Sequence, residues 1–358
     1  MKQPIFTKLL LQWNEAENDR PMPWKGETDP YKIWLSEIIL QQTQVKQGWG
    51  YYERFVTSYP TIQQLAAAKD ETVFKLWEGL GYYNRCKNLL FTARFITDNL
   101  QGKFPSKYDD IVALKGVGPY TAAAIASFAF NLPYAVVDGN VFRVLSRVFG
   151  IDTAIDSAKG KKEFSALADT VLDKKQPGIY NQAIMDFGAT ICKPFAPLCN
   201  TCPLQKTCVA YQKGIVNYLP IKEKVLQKKS RWFYYFVIEC DGKILVHKRT
   251  AKDIWENLNE FYLVEANEQQ HWDEIQVQQW FQQQLGIKRV VLENVSQLLK
   301  QQLTHQLIKG QFIRVTLATR PKILQDYDWL LSSDLPTLAF PKLINQYLEL
   351  PTLQGNLF

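Results

Sequence analysis

Four cysteines lie close together in the sequence, with the spacing C-x6-C-x2-C-x5-C: Cys192, Cys199, Cys202 and Cys208. Thiolates at such intervals can converge on one metal centre, and in a reducing compartment a metal is expected rather than disulfides. Zinc sites with four cysteines usually consist of two C-x2-C pairs separated by a longer loop, whereas one compact loop supplies all four here. The spacing therefore favours a [4Fe-4S] cluster over zinc. Lys193 and Lys206 lie in the same loop, so the cluster could hold a basic loop against a phosphate backbone.

Two carboxylates lie in opposite surroundings. Apolar triplets flank the Ser36-Glu37 pair in the segment IWLSEIIL, so desolvation should raise the pKa of Glu37 and keep it protonated, as a general acid requires. Asp138 follows two valines and precedes NVFRVLSRVFG, which predicts a helix N-cap whose backbone N–H groups keep the carboxylate ionised. One neutral and one charged carboxyl suit cleavage of a glycosidic bond. The alternatives are a surface glutamate and an aspartate that only caps its helix.

The segment LKGVGPYTAAAIASFAF places Gly116 and Gly118 just before a helix that begins with Pro119. Glycines permit a tight turn, and the free N–H groups at a helix start form an anion site suited to phosphate. The alternative is an ordinary turn between two helices.

The chain has 358 residues, 46% hydrophobic and 13% aromatic, which indicates two folded domains. Apolar residues recur at helical spacing through residues 1–218, a basic linker covers residues 219–231, and residues 232–358 mix strands with helices around a D-G hairpin turn. No apolar run approaches the length of a membrane span, and the N-terminus does not resemble a signal peptide. We therefore expect a cytoplasmic monomer, associated with the nucleoid if bacterial. The net charge of +7 suits a nucleic-acid partner without requiring one.

Three motifs in order, LKGVGPYTA, VVDGN and the cysteine loop, resemble the iron-sulfur branch of the helix-hairpin-helix glycosylase superfamily over residues 1 to about 218. The segment WLSEIILQQTQV resembles the catalytic helix of the MutY-type adenine DNA glycosylase family. The resemblance implies a multidomain chain: an all-α helix-hairpin-helix glycosylase domain with an iron-sulfur cluster loop, and an α+β Nudix-like C-terminal domain. It implies that Glu37 protonates adenine and that Asp138 stabilises the sugar cation. The implied partner is double-stranded DNA with A:8-oxoguanine or A:G mismatches.

Tyr120 separates this chain from its nearest relatives. Endonuclease III-like enzymes are similar but carry a lysine in the motif G-V-G-x-K-T-A, where the amine forms a Schiff base with the sugar. This chain has tyrosine there, and Lys115 lies in the wrong register, so we expect a monofunctional glycosylase in which Tyr120 hydrogen-bonds near the carboxylates. By resemblance, Asn140 and Gln182 match positions that order the catalytic water or contact adenine.

Extraction of a base from the duplex leaves a gap that protein groups must fill. By resemblance, Gln42 wedges into this gap and Tyr82 intercalates beside the opposite base, which Thr43 and Leu80 would touch. The alternatives are helix surface or packing, above all for Leu80.

The resemblance also implies that residues 232–358 recognise 8-oxoguanine. They lack the R-E-x-x-E-E helix with which Nudix hydrolases bind magnesium, so hydrolysis there is not expected. Typical family members insert an F-S-H loop beside the lesion. The nearest counterpart here is Leu303, Thr304 and His305, which keeps a hydroxyl but lacks the aromatic residue. The alternative for His305 is an isolated surface histidine.

Two rival functions remain open from the sequence. One is an oxidised-pyrimidine glycosylase/lyase of the endonuclease III type, which Tyr120 and the C-terminal domain oppose. The other is a non-catalytic iron-sulfur DNA-binding protein, which the pair Glu37 and Asp138 opposes.

Overall fold

A computed structural model of the chain describes residues 3–223 and 228–350. Part of the predicted linker, 224–227, and the end of the predicted second domain, 351–358, lie outside the described residues. By its contacts the chain forms two compact units. The first comprises residues 1–68 and 87–225, and the second comprises residues 69–86 and 226–358. The sequence predicts that residues 69–86 belong to the helical domain, whereas by contacts they group with the second unit.

Between residues 3 and 223, all regular elements are helices, which confirms the predicted all-α domain. They are α1 (Gln3–Ala16), α2 (Pro30–Leu40), α3 (Val45–Ser58), α4 (Ile62–Ala67), α5 (Asp70–Trp77), α6 (Asn84–Asn99), α7 (Tyr108–Val112), α8 (Pro119–Phe130), α9 (Gly139–Phe149), α10 (Ala158–Val171), α11 (Pro177–Thr190) and α12 (Val209–Gln212), with 3-10 turns at Cys199–Thr201, Gln205–Thr207 and Val216–Tyr218. Helix α5 belongs to the second unit. No helix in the described part of the chain is long and apolar enough to cross a membrane.

Helices α2 and α8 pack against each other and begin in similar ways. The side chain of Asp29 caps α2 by accepting a 2.9 Å hydrogen bond from the Tyr31 N–H, and Pro30 occupies the first turn. Helix α8 follows Gly118 with Pro119 in its first turn. In the turn before it, Gly116 has φ +82, and a Cβ there would lie 2.8 Å from Cβ of Asn88. Position 116 therefore requires glycine, both for its backbone conformation and for its close approach to α6.

The second unit is built on an eight-stranded mixed sheet. Its strands are β1 (Lys229–Cys240), β2 (Lys243–Lys248), β3 (Asn259–Glu260), β4 (Tyr262–Ala266), β5 (Val291–Val295), β6 (Leu299–Gln302), β7 (Gln306–Thr316) and β8 (Asp328–Leu331). The order is β3-β2-β1-β7-β5, with β4 on β1, β6 on β7 and β8 on β2. Strands β1 and β7 are parallel, from Lys229 opposite Gln306 to Glu239 opposite Thr316.

The D-G turn predicted from the sequence is confirmed. Cys240 pairs with Lys243, and both residues of the turn, Asp241 and Gly242, have positive φ (51 and 69), as a type I′ hairpin requires. The sheet is covered on both faces. Phe236 packs against Phe281 of α13 (Glu274–Leu285) on one face. On the other, Phe312 stacks on Tyr347 of α14 (Lys342–Leu348) at 4.0 Å. The predicted α+β class is therefore confirmed.

Candidate active site and cysteine loop

Glu37 lies on α2, which is buried along most of its length, and only 6% of the residue is exposed. Burial raises the pKa of Glu37 to about 7 because a carboxylate is poorly solvated there. A hydrogen bond with Tyr120 opposes the shift, and the charge of Asp138 adds to it. The apolar neighbours of Glu37 in the sequence predict a pKa raised in this direction.

Asp138 is the N-cap of α9, as the sequence predicts. Its Oδ1 accepts a 2.8 Å hydrogen bond from the Val141 N–H, and its Oδ2 accepts one of 2.7 Å from Asn140. Burial nevertheless raises the pKa of Asp138, although Val141, Asn140 and nearby Arg143 each lower it. The capping hydrogen bonds favour the ionised form, as the sequence predicts, whereas the opposing effect of burial was not anticipated.

Tyr120, on the first turn of α8, interacts with Glu37 through a hydrogen bond and with Asp138 through its charge. It shares a hydrogen bond with Glu37, and its hydroxyl donates to Sδ of Met185 at 3.5 Å. Burial and the charges of Glu37 and Asp138 raise the pKa of Tyr120 well above its ordinary value, so it remains a neutral phenol. Helices α2, α8 and α9 thus place Glu37, Tyr120 and Asp138 in one electrostatic cluster.

Arg143 connects this cluster to the cysteine loop, and sequence analysis did not single it out. Its Nη2 donates to Oδ1 of Asn140 at 2.8 Å and to the Gly188 carbonyl at 2.6 Å, while Nε donates to the Cys192 carbonyl at 2.7 Å. Asn140 in turn donates to Asp138. The only sequence signal for Arg143 is its place one helical turn after the N-cap.

A second group of charges surrounds Gln182 and was also missed. Asp186, fully buried on α11, accepts hydrogen bonds from Gln182 (2.9 Å), Arg20 (2.8 Å) and Asn18 (2.9 Å), and Lys25 lies 3.5 Å away. The Gln182 amide nitrogen is therefore oriented by Asp186. Arg20 and Lys25 lie in an irregular polar segment where no periodic pattern marks them.

The four cysteines named above line one cavity together with mainly apolar side chains. Arg147 lies against this cavity, with Nη1 3.5 Å from Sγ of Cys192 and 2.8 Å from the Lys193 carbonyl. Among the described residues, no three His, Cys, Asp or Glu side chains are gathered closely enough to hold one metal ion. The four thiols nevertheless line one mainly apolar cavity, and thiolates are the ligands that iron-sulfur clusters require.

The turn after α2 contains Gln42 and Thr43. Gln42 is exposed with φ +54, and the Thr43 N–H donates to the Leu40 carbonyl at 3.0 Å. The neighbouring Gln41 donates through Nε2 to the Gly116 carbonyl at 3.4 Å. The structure therefore brings this turn next to the glycine turn before α8.

The other residues predicted to meet the opposite base lie in the second unit. Leu80 is buried, which favours packing over contact with a base, whereas Tyr82 is 43% exposed. Thr304 and His305 are exposed in the turn between β6 and β7. The hydroxyl groups of Tyr82 and Thr304 are hydrogen-bonded to each other.

Comparisons with known proteins agree with both units. Residues 35–169 match the model of the HhH-GPD superfamily base excision DNA repair protein, and residues 234–350 match that of the NUDIX domain. A solved thermostable thymine-DNA glycosylase is 30% identical with TM-score 0.55, covering 59% of this chain and 97% of that chain. An endonuclease III–DNA complex, 22% identical with TM-score 0.52, covers 60% of this chain and 99% of that chain and shows the same fold. The helical unit is thus that of a helix-hairpin-helix base-excision repair enzyme.

Curated relatives narrow the class. The adenine DNA glycosylase of Buchnera aphidicola subsp. Schizaphis graminum is 38% identical over 256 residues, 71% of this chain and 73% of that protein. The rat adenine DNA glycosylase is 44% identical over 227 residues, 60% of this chain and 44% of that protein. The chain belongs to the adenine DNA glycosylase family. It is a base-excision repair enzyme that acts on N-glycosyl bonds in DNA.

Proposed function

We propose that the chain removes adenine mispaired with 8-oxoguanine or guanine, as a monofunctional glycosylase with Glu37 as general acid. The observation that carries this proposal is the buried Glu37 with a pKa of about 7, next to the helix-capping Asp138. A carboxyl group with this pKa is protonated in a useful fraction at neutral pH and still donates readily.

In the proposed reaction Glu37 donates its proton to a ring nitrogen of the leaving adenine as the glycosidic bond breaks. Positive charge then develops on the sugar, and Asp138 stabilises it as an anion. Water adds to C1′ of the sugar cation, and the proton that the water loses returns to the Glu37 carboxylate. The ionised form of Asp138 is favoured by the Val141 N–H, by the side-chain amide and backbone N–H of Asn140, and by the nearby Arg143. For Glu37 the hydrogen bond with Tyr120 is opposed by burial and by the charge of Asp138, so we assign the proton to Glu37.

Asn140 acts in this scheme mainly as a positioning residue for Asp138. Its amide donates to Asp138 and accepts from Arg143, so both ends are used inside the protein. Gln182 has a different place, because its nitrogen donates to Asp186 and its oxygen remains an acceptor. An acceptor there suits the exocyclic amino group of adenine.

Tyr120 supports the monofunctional assignment over the endonuclease III-like alternative. A phenol has no amine nitrogen, so it cannot form a Schiff base with the sugar. By the same proposal Gly116 and Gly118 present backbone N–H groups to a phosphate, and Gln42 and Thr43 contact the opened base pair. In the second unit, the exposed Tyr82, Thr304 and His305 would face the opposite base, whereas Leu80 is buried and would pack inside the protein.

Cys192, Cys199, Cys202 and Cys208 are proposed to bind a [4Fe-4S] cluster. Such a cluster would tie the loop together, and Arg147 would lie beside the Cys192 ligand. Arg143 bonds the carbonyl of the same cysteine, so an ordered loop also supports the bonds beneath Asp138. The non-catalytic alternative leaves the coupled pair Glu37 and Asp138 without a purpose.

Single-turnover excision on a set of duplexes tests the proposal. We expect excision of adenine opposite 8-oxoguanine and guanine, little opposite thymine, and none of an oxidised pyrimidine. Borohydride should trap little covalent enzyme–DNA adduct, whereas Tyr120→Lys should increase trapping by placing an amine near the sugar. Efficient trapping by the unchanged chain would assign it to the lyases, and no excision from any duplex would favour the non-catalytic alternative.

The pH dependence follows from the pKa of Glu37. Only the protonated acid can donate, so kcat/KM should be highest below pH 7 and fall about tenfold per pH unit well above it. At lower pH the rate should fall again as Asp138 takes up its proton. A profile that rises through pH 7 would show that Glu37 acts as a base.

The cluster proposal predicts a yellow-brown protein with about four irons per chain. Cys199→Ser should lower the iron content and the yield of soluble protein, and weaken DNA binding more than the chemical step. Cys240→Ser is the matched control, because Cys240 is buried at the end of β1 and does not belong to the cysteine loop. Stoichiometric zinc without iron in anaerobically prepared protein would contradict the cluster.

A further inference from the structure

Residues 69–86 belong to the second unit although they precede the rest of it by some 140 positions of the chain. They comprise α5, the turn 79–83 that presents Tyr82, and the start of α6. The bonds that join this segment to the sheet therefore also determine the position of Tyr82 relative to Thr304.

Two side chains at the end of α5 hold a short stretch of backbone, Leu338–Phe340. Lys75 Nζ donates to the Leu338 carbonyl at 2.9 Å, and Glu78 Oε1 accepts from the Phe340 N–H at 2.8 Å. Lys75 and Glu78 also form an ion pair of 2.7 Å. The Lys75 ammonium thus binds a carbonyl of this stretch and the Glu78 carboxylate binds an N–H of it. We call this arrangement the Lys75–Glu78 clamp.

The stretch that the clamp holds is fixed to the core of the sheet. Phe340 is 1% exposed, and its ring stacks on Phe261 at 5.7 Å. Asn259 donates to the Ala339 carbonyl through its backbone N–H at 2.9 Å and its side chain at 3.2 Å. The clamp therefore connects α5 to a rigid part of the second unit.

The turn 79–83 begins directly after Glu78 and is internally braced. The Gly79 N–H donates to the Tyr83 hydroxyl at 3.1 Å, and Trp77 Nε1 donates to the Gly81 carbonyl at 3.0 Å. Gly79 and Gly81 both have positive φ (86 and 78). A braced turn moves as one body, so a change at its base is passed to Tyr82 at its tip.

We infer that Lys75 and Glu78 are positioning residues that place the turn 79–83 beside Thr304 and so set the specificity for the base opposite adenine. The inference rests on the proposed function. Recognition of a lesion by Tyr82 and Thr304 requires both groups to be held in register, and small misplacements of such groups lose their interactions. The clamp fixes the base of the turn to the sheet, and the Tyr82–Thr304 hydrogen bond lies near the other end of the turn.

The test compares Glu78→Ala with Glu71→Ala in the full chain. Glu71 is the matched control because it also joins α5 to the sheet, through an exposed 3.4 Å ion pair with Lys248. We expect Glu78→Ala to lower the ratio of single-turnover excision rates, 8-oxoguanine duplex over guanine duplex, at least about fivefold. Glu71→Ala should leave the ratio unchanged. Glu78→Gln keeps an acceptor for the Phe340 N–H and should restore most of the ratio.

A double-mutant cycle with Tyr82→Ala separates positioning from general destabilisation. If Glu78 acts through Tyr82, Glu78→Ala should change the ratio little further in a Tyr82→Ala background. Equal loss of rate on both duplexes, or effects that add in the double mutant, would overturn the inference. Equal wild-type rates on the two duplexes would instead overturn the proposed 8-oxoguanine preference. In that case the same double-mutant cycle is measured as dissociation constants for the guanine duplex. Additive losses of affinity would overturn the positioning role of the clamp, and non-additive losses would support it.

Discussion

Glu37→Gln is expected to lower the single-turnover rate of adenine excision by about 10²- to 10⁴-fold. The substitution keeps the size and polarity of the side chain but removes the acidic proton that the leaving adenine needs. DNA affinity should change little, because Glu37 is buried on α2 and its replacement leaves the surface of the protein unaltered. The measurement is a quenched-flow time course with enzyme in excess, beside a binding titration with uncleaved duplex.

Glu53→Gln is the matched control for this prediction. Glu53 lies on the exposed face of α3, where it accepts a hydrogen bond from Trp49 and has no place in the proposed reaction. Its variant should excise adenine at the wild-type rate. A near-normal rate for Glu37→Gln would show that another group protonates adenine.

Asp138→Asn is expected to lower the excision rate by about 10²-fold or more, since one well-placed electrostatic group typically contributes that much to a transition state. Asparagine is as good an N-cap as aspartate, so α9 should stay intact and only the negative charge is lost. Equal melting temperatures of variant and wild type would verify this separation.

The outcome that would contradict the role of Asp138 is a rate loss matched by a loss of stability. Asp138→Asn would then have disturbed the cap rather than the sugar cation. Val141→Ala is the comparison for stability, because it truncates a buried side chain on α9 but keeps the backbone N–H that donates to Asp138. It should lower the melting temperature more than the rate.

The local sequence was sufficient to predict the surroundings of Glu37 and Asp138. Glu37 could be placed because the triplets around it are apolar on every face, and Asp138 because it stands directly before an amphipathic helix. The upward pKa of Asp138 could not be predicted, since the burial that causes it arises from tertiary packing, which no local pattern in the sequence marks. The same reason explains why Arg20 and Asp186, 166 positions apart, were missed.

Strands β1 and β2 of the second unit were predicted from two β-rich runs around a D-G turn, which are local signals. The parallel pairing of β1 with β7 has no such signal, because it joins residues far apart in the chain. The same holds for residues 69–86. Their composition is helical and the family match at residues 35–169 includes them. Their grouping with the second unit by contacts involves bonds from Lys75 and Glu78 to Leu338–Phe340, which no local pattern marks.

The Lys75–Glu78 clamp also orders events during synthesis on the ribosome. Its bond from Phe340 to Glu78 spans 262 positions, so it cannot form until nearly the whole chain has emerged. At about 5 to 20 residues per second, this interval lasts on the order of ten seconds or more. The helices of the first unit have all been translated long before then. The turn that carries Tyr82 is therefore among the early segments of the polypeptide to be made and among the last to be fixed in place. A nascent chain halted before residue 340 lacks the bond between Phe340 and Glu78 at the base of this turn.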